Sequence, residues 1–322
     1  MTRGKAHWSP MSMSDPSSDP SDGAGRGLTR LLGELRPKLH RYTARMTGSS
    51  IDGEDVVQDA MVKAIEAFPG AGPIGNLEGW VFRILHNAAL DFLRRRGRLL
   101  ALRVEEDPDG VADPITDFNA PQNAAASLRT FMALPPSQRA SVILMDVLGY
   151  SLDEIAGITA LTVPAVKAAL HRGRARLRAL GEQDDARPQG GPLDEGERRR
   201  LAAYVERFNA RDFDALRELL AEDVRLDLVG KVRHAGRGNV ARYFGNYAGQ
   251  SDWHLVPGLV DGRLAILVFD PHRPGQGPSY FIVLDWAGGQ IGHIRDFRYA
   301  RYAVAEAEVE RLDLGDAQPT VA

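Results

Sequence analysis

Residues 105–127 hold about six acidic side chains and no basic one, and proline interrupts them repeatedly. A stretch of that composition cannot bury enough apolar surface to offset its chain entropy. It therefore reads as a flexible linker, and it breaks the chain into modules. Before it, residues 28–104 carry about twelve Lys/Arg against eight Asp/Glu, and after it residues 128–180 carry about seven against three. Beyond residue 192 the charges nearly balance. The net charge of −3 conceals this layout of two basic modules, an acidic tether and a different third part. A chain of 322 residues has room for two or three domains of ordinary size.

Several functional classes drop out early. With 43% hydrophobic and 26% charged residues the composition is that of a water-soluble globular protein. No window approaches eighteen uninterrupted apolar residues, so the expectation is no membrane association, and no apolar run follows the first basic residues as a secretory signal requires. The chain has no cysteine, which removes disulfides and thiolate chemistry and fits a cytoplasmic location.

Periodicity gives the elements. Residues 1–26, rich in Ser, Pro, Asp and Gly, are expected to be a disordered tail. A helical stripe follows through Leu28, Leu31, Leu32, Leu35 and Leu39. After Gly48–Gly53 a second helix carries Val57, Met61, Ala64, Ile65 and Phe68, and a third runs from Leu77 to about Arg98. Beyond the tether, Leu128–Leu148 is helical around Pro135-Pro136. Ser151-Leu152-Asp153-Glu154 is a capping box that opens a short helix, and Thr162 caps the next, which continues to about Leu180. Short helix, tight turn, capped second helix is helix-turn-helix grammar.

On that last helix Lys167, His171, Arg174 and Arg178 recur in one stripe, with Arg172 beside it. Val166, Leu170, Gly173 and Leu177 form another stripe roughly 100° away. An apolar face for packing and a basic face for a polyanion suit DNA, where such side chains meet phosphates and seat a helix in the major groove. A solvated basic face is the plainer alternative. On the 77–98 helix, Asn87, Asp91, Arg94 and Arg95 share a face, with Arg96 adjoining them. Asparagine pairs with base edges, while the arginines serve phosphate or simply the helix C-terminus. Asp55, Gln58 and Asp59 on the second helix are acidic or neutral, which suits a basic protein surface or solvent rather than DNA.

These stretches also carry a resemblance. Asp52-Gly53-Glu54-Asp55-Val56-Val57-Gln58-Asp59 resembles the D-x-E-D-x-x-Q-E signature of the σ2 domain of extracytoplasmic-function sigma factors. The run from Trp80 to Arg95 resembles that family's W-L-x-x-I-A-x-N-x-x-x-D-x-x-R-R stretch. Leu134-Pro135-Pro136-Ser137-Gln138-Arg139, with Gly149-Tyr150-Ser151-Leu152-Asp153-Glu154-Ile155-Ala156, resembles the entry to σ4. The resemblance covers about residues 28–180. It implies a transcription-initiation subunit that binds core RNA polymerase (the β′ clamp helices and the β flap) and promoter DNA. Asp55, Gln58 and Asp59 would face the clamp helices. The Asn87 helix would read the melted −10 strand, and the Thr162 helix the −35 duplex. One departure stands out: Ala165, Ala168 and Ala169 occupy positions where the family commonly has polar or basic side chains. This implies weakened −35 recognition, or recognition moved onto Lys167, His171 and Arg174.

The last third changes class. Glu197–Glu222 reads as one amphipathic helix, Arg225–Val229 as a strand and Gly238–Tyr247 as a short helix. Trp253–Asp270 reads as a hairpin turning at Asp261-Gly262, and Tyr280–Trp286 pairs with Ile291–Tyr299, which together make an antiparallel sheet with helices. Tyr204–Asp212, Leu219–Val224, Gly236-Arg237-Gly238 and Ile291–Phe297 resemble the SnoaL-like family, an α+β cystatin-like cone that hosts enzymes and non-enzymes alike. Asp227, His254, His293 and Asp296 are the candidate pocket residues for an unknown small ligand. No spaced pair among them marks a catalytic site, and none has metal-ligand spacing, so the expectation is no enzyme, cofactor or metal.

The layout expected is thus multidomain: two all-α domains, then an α+β SnoaL-like one. In order these are a tail (1–26), a σ2-like domain (27–104), the linker (105–127), a helix-turn-helix σ4-like domain (128–181), a second linker (182–195), the cone (196–304) and a C-terminal tail (305–322). Such C-terminal fusions imply regulation in cis. The alternatives are a helix-turn-helix regulator that does not use polymerase, and a SnoaL-type enzyme tethered to DNA-binding helices.

Overall fold

The computed structural model describes residues 20–99, 127–181 and 194–312. The 105–127 tether lies outside them but for Ser127, as do residues 1–19, most of the second linker and the last ten residues.

The first module is three helices: α1 (Pro20–Thr47), α2 (Ser50–Ala67) and α3 (Leu77–Leu99). Helix α1 starts seven residues ahead of the expected boundary, with a proline in the first position, where its missing N–H costs nothing. The leucine stripe does what its period requires, since Leu28, Leu32, Leu35 and Leu39 are all buried. The Ser49 hydroxyl caps α2 by accepting from Asp52 N–H at 3.2 Å. Helices α1 and α2 cross so closely that a Cβ on Gly53 would lie 2.7 Å from the Ala44 backbone nitrogen.

The second module holds α4 (Leu128–Met132), α5 (Pro136–Val142) with a π turn to Val147, α6 (Leu152–Thr159) and α7 (Val163–Gly181). Both sequence caps form: the Ser151/Glu154 box opens α6, and Thr162 Oγ1 accepts from Ala165 N–H at 3.3 Å. The two helical modules do not have separate cores. One buried apolar cluster runs from Leu32 and Phe82 through Phe131 and Ile155 to Leu177. Arg139 seals the junction. It is almost fully buried, and its guanidinium donates to the Met46 carbonyl in the last turn of α1 and to those of Met132 (3.1 Å) and Leu134 (2.8 Å).

The third module packs α8 (Glu195–Asn209), α9 (Phe213–Glu218) and α10 (Arg237–Ala248) on one face of a seven-stranded sheet, order β2-β1-β6-β5-β4-β3-β7. The strands are β1 (Leu220–Leu228), β2 (Val232–Ala235), β3 (His254–Val260), β4 (Arg263–Phe269), β5 (Tyr280–Ala287), β6 (Gln290–Asp296) and β7 (Val309–Arg311). Both expected hairpins form, the first through Asp261 and Gly262 at positive φ. Three expectations need correction. The single helix 197–222 is broken, because Arg211 sits at φ 61° and Asp212 starts a new helix by accepting from Ala215 N–H. The sheet is not purely antiparallel, since β1 runs parallel to β6. Residues 305–312 are not a tail: helix α11 (Tyr302–Glu306) and strand β7 continue the domain. Its centre is aromatic, with the Phe208 ring 5.1–5.4 Å from those of Phe213, Tyr247 and Trp253.

Candidate functional site

Strand alternation gives the sheet two different faces. Leu226, Ile282, Leu284, Ile294 and Asp296 point to the helices. Arg233, Arg263, Asp227, Asp285, His293 and Arg295 point the other way, and that outer face lies on the first module. Ile51 in the first turn of α2 belongs to the apolar cluster of the sheet domain. Around it the polar contacts follow the helix. Arg263 makes a two-pronged pair with Asp52 at 2.7 and 2.8 Å, Arg295 reaches Asp55 at 3.2 Å and Arg233 donates to the Gln58 side chain. Two of the three residues expected to form a protein-binding face are therefore held by arginines of the chain's own sheet. The third, Asp59, is exposed.

Helix α11 anchors the same contact. The Tyr302 hydroxyl accepts from Arg36 Nε at 2.9 Å and donates to Glu54 at 3.0 Å, while Glu306 takes both Arg41 (2.8 Å) and Arg45. Glu54 is 1% exposed, so this hydroxyl joins a buried ion pair that the first module would otherwise hold alone. At the start of α2, Asp261 of the β3–β4 turn accepts from Ser50 N–H at 2.6 Å with one oxygen and from Glu308 N–H at 3.0 Å with the other. Sequence reading missed Asp52, Glu54, Tyr302 and Glu306. Asp52 and Glu54 stood inside the quoted signature, but their partners lie up to 248 positions away.

The candidate DNA-facing residues divide. On α3, Asn87 and Arg95 are exposed and Arg94 pairs with Asp91 at 3.0 Å. Arg96 turns inward to Asp52 (3.1 Å), the carboxylate that Arg263 also holds. On α7, Lys167, His171 and Arg178 are exposed and Arg172 is half-buried. Arg174 is a correction to the stripe: it pairs with Asp146, whose side chain is fully buried, so it fastens α7 to the π turn. The alanines likewise read differently in place. Ala168 and Ala169 are buried, which makes them packing positions, and only Ala165 is half-open.

A cleft of about 610 Å³ separates the start of α3 from α6, lined by Ile74, Trp80, Arg83, Tyr150, Glu154 and Ile158 among others. At its edge the Tyr150 hydroxyl donates to Glu78, which also takes Lys38 at 2.7 Å, and the Lys38 ammonium lies 4.1 Å from the Tyr150 ring centre.

The four candidate pocket residues do not share a pocket. His254 is exposed at the start of β3. On the outer face His293 lies between Asp227 and Asp285, each at 3.3 Å, and hydrogen bonds to both raise the imidazole to about 9. Asp296 alone faces inward. It is fully buried and accepts from Tyr243 (3.0 Å), Tyr247 (2.7 Å) and Arg298 N–H (2.8 Å), and burial raises its carboxyl above the usual range despite those bonds. Among the described residues no group of three or more His, Asp or Glu could hold a metal ion, and no helix is long and apolar enough to cross a membrane.

Comparison with known proteins finds three family matches along the chain. Family models for Sigma-70 region 2, Sigma-70 region 4 and the SnoaL-like domain match residues 31–99, 128–177 and 201–302. The ECF RNA polymerase sigma factor SigE of Mycolicibacterium smegmatis is 34% identical over 154 residues, 46% of this chain and 59% of that relative. SigM of Mycobacterium tuberculosis, of the same description, is 35% identical over 147 residues, 44% of this chain and 71% of that one. SigG of M. tuberculosis, likewise an ECF RNA polymerase sigma factor, aligns at 27% identity over 324 residues, 87% of this chain and 83% of that one.

Proposed function

The chain belongs to the ECF RNA polymerase sigma factors, and from that premise we propose that it directs core polymerase to promoters while its SnoaL-like domain regulates it in cis, covering the polymerase-binding face of α2. The observation that carries this is the pairing of Asp55 with Arg295 and of Gln58 with Arg233. In this reading Asp55, Gln58 and Asp59 engage the β′ clamp helices and the second helical domain engages the β flap. Asn87, Arg94 and Arg95 meet the −10 strand, and Lys167, His171, Arg172 and Arg178 meet the −35 duplex. The sheet offers α2 the basic surface that the clamp would offer, so the two compete. The described state is then a closed one, in which both helical domains also share a core.

The direct test is run-off transcription with core polymerase, comparing the full chain, Arg233→Ala/Arg295→Ala, and a chain ending near residue 190. Release from competition predicts more promoter-specific product from the double variant. If neither change alters the product, cis regulation through this contact fails.

A second reading, ligand sensing by the cone, rests on Asp296 and its tyrosines. Tyr204, fully buried, has a hydroxyl without a hydrogen-bond partner among the described residues. A small ligand with a hydrogen-bond acceptor would engage these groups, and β6 would transmit the change, since Asp296 faces inward and its neighbour Arg295 holds Asp55. The domain is read as a regulator because it is joined to the two sigma-70 regions of an ECF sigma factor.

A further inference from the structure

Helix α2 carries one continuous outer face. At about 100° per residue, Ile51, Asp55, Gln58, Asp59, Val62, Ile65 and Glu66 fall within a sector of roughly 120°. The sheet domain covers only its beginning: Ile51 is buried and Asp55 and Gln58 are bonded to arginines. About two turns, or roughly 10 Å, further along, the same face is bare. Val62 is 52% exposed and Ile65 50%. Single exposed apolar side chains need no explanation, but two neighbours at i and i+3, flanked by exposed Asp59 and Glu66 and continuous with a polymerase-facing surface, form the unsheathed end of one interface.

We propose that Val62 and Ile65 are a toehold: core polymerase seats first on this open half of α2, and only then displaces the sheet from Asp55 and Gln58. The inference rests on the polymerase-binding reading of α2 and adds to it an order of events and a surface for the first step. The covered contact favours such displacement. The Asp55 side chain remains 53% exposed beside Arg295, so water and an incoming basic surface both reach it. An exchange of ion-pair partners at an open edge needs no prior full opening of the chain. Val62 and Ile65 give the incoming surface a foothold that does not compete with any arginine of the sheet.

The test measures association of the intact chain with core polymerase by stopped flow in four forms: wild type, Val62→Ser/Ile65→Ser, Arg233→Ala/Arg295→Ala, and the combination. A toehold matters only while the sheath is on. Val62→Ser/Ile65→Ser is therefore expected to slow association about tenfold in the wild-type background and less than about threefold in the Arg233→Ala/Arg295→Ala background, within the range over which mutants of one interface vary. Equal slowing in both backgrounds overturns the proposal, because the two residues are then ordinary contacts of the final complex. No slowing in either overturns it too. So does a dimer in sedimentation that Val62→Ser/Ile65→Ser dissolves, since a second copy would then be the occupant. The underlying reading fails separately, if Arg233→Ala/Arg295→Ala leaves both association and affinity unchanged.

Discussion

Replacing Tyr302 by Phe removes one oxygen atom from the contact between α11 and the first module, and its consequence can be worked out. The hydroxyl accepts from Arg36 and donates to Glu54, two bonds to charged partners at 2.9 and 3.0 Å. Hydrogen bonds to charged groups contribute roughly 1.5–3 kcal/mol each, but Arg36 and Glu54 keep one another in the variant, so the closed state should lose only about 2 kcal/mol. That corresponds to about a 30-fold rise in the open-to-closed ratio. While the open form is the minor one, apparent affinity for core polymerase rises by the same factor, because it scales with the competent fraction. Equilibrium binding of labelled Tyr302→Phe to core polymerase measures this, with a thermal melt to establish that both domains stay folded. A change in affinity below about threefold in a folded variant would refute the reasoning, since the α11 anchor would then not hold the closed state.

Four further expectations follow from particular side chains. Arg139→Met strips the carbonyls of Met46, Met132 and Leu134 of a buried donor and should cost about 3 kcal/mol or more in urea denaturation, with loss of the joint transition of the two helical modules. Lys167→Ala should weaken binding to a −35 duplex and lower the salt dependence by about one ion. Arg174→Ala should instead destabilise the fold by roughly 3 kcal/mol, because the Asp146 carboxylate is buried, and a melt distinguishes the two. His293 is raised from 6.5 to about 9 by Asp227 and Asp285, so its contribution to stability is complete below pH 6.5 and lost as pH rises through 9. His293→Gln should flatten that part of the stability–pH curve, which calorimetry between pH 6 and 10 checks.

What the sequence made legible is what local chemistry specifies. The Leu28–Leu39 stripe, the Ser151/Glu154 box and the Asp261-Gly262 turn each need only a few neighbouring residues, and each forms as read. The basic stripe on α7 was legible as a period but not as a set of roles. Arg174 and Lys167 share a face by spacing, yet the partner that removes Arg174 is Asp146, 28 positions back. Similarly, β7 is too short to announce itself and exists because β3 offers it an edge. The coverage of α2 was beyond local reading altogether: α2 and the strands that hold it are distant in sequence, and nothing in the period of either predicts their meeting.

Asp261 shows how such a meeting narrows what a position tolerates. Its backbone, at φ 52°, would accept Asn, Asp or Gly as any turn of this kind does. Its side chain, however, receives two backbone N–H groups on two different oxygens, one of them from the opening residue of α2. Glycine offers no oxygen and asparagine only one, with a donor in place of the other. A turn position whose backbone alone would take any of three residues thus has work at its side chain that only aspartate does. A substitution there would surface as a defect in a helix more than two hundred residues upstream, where a geneticist mapping the lesion by sequence would not look for its cause.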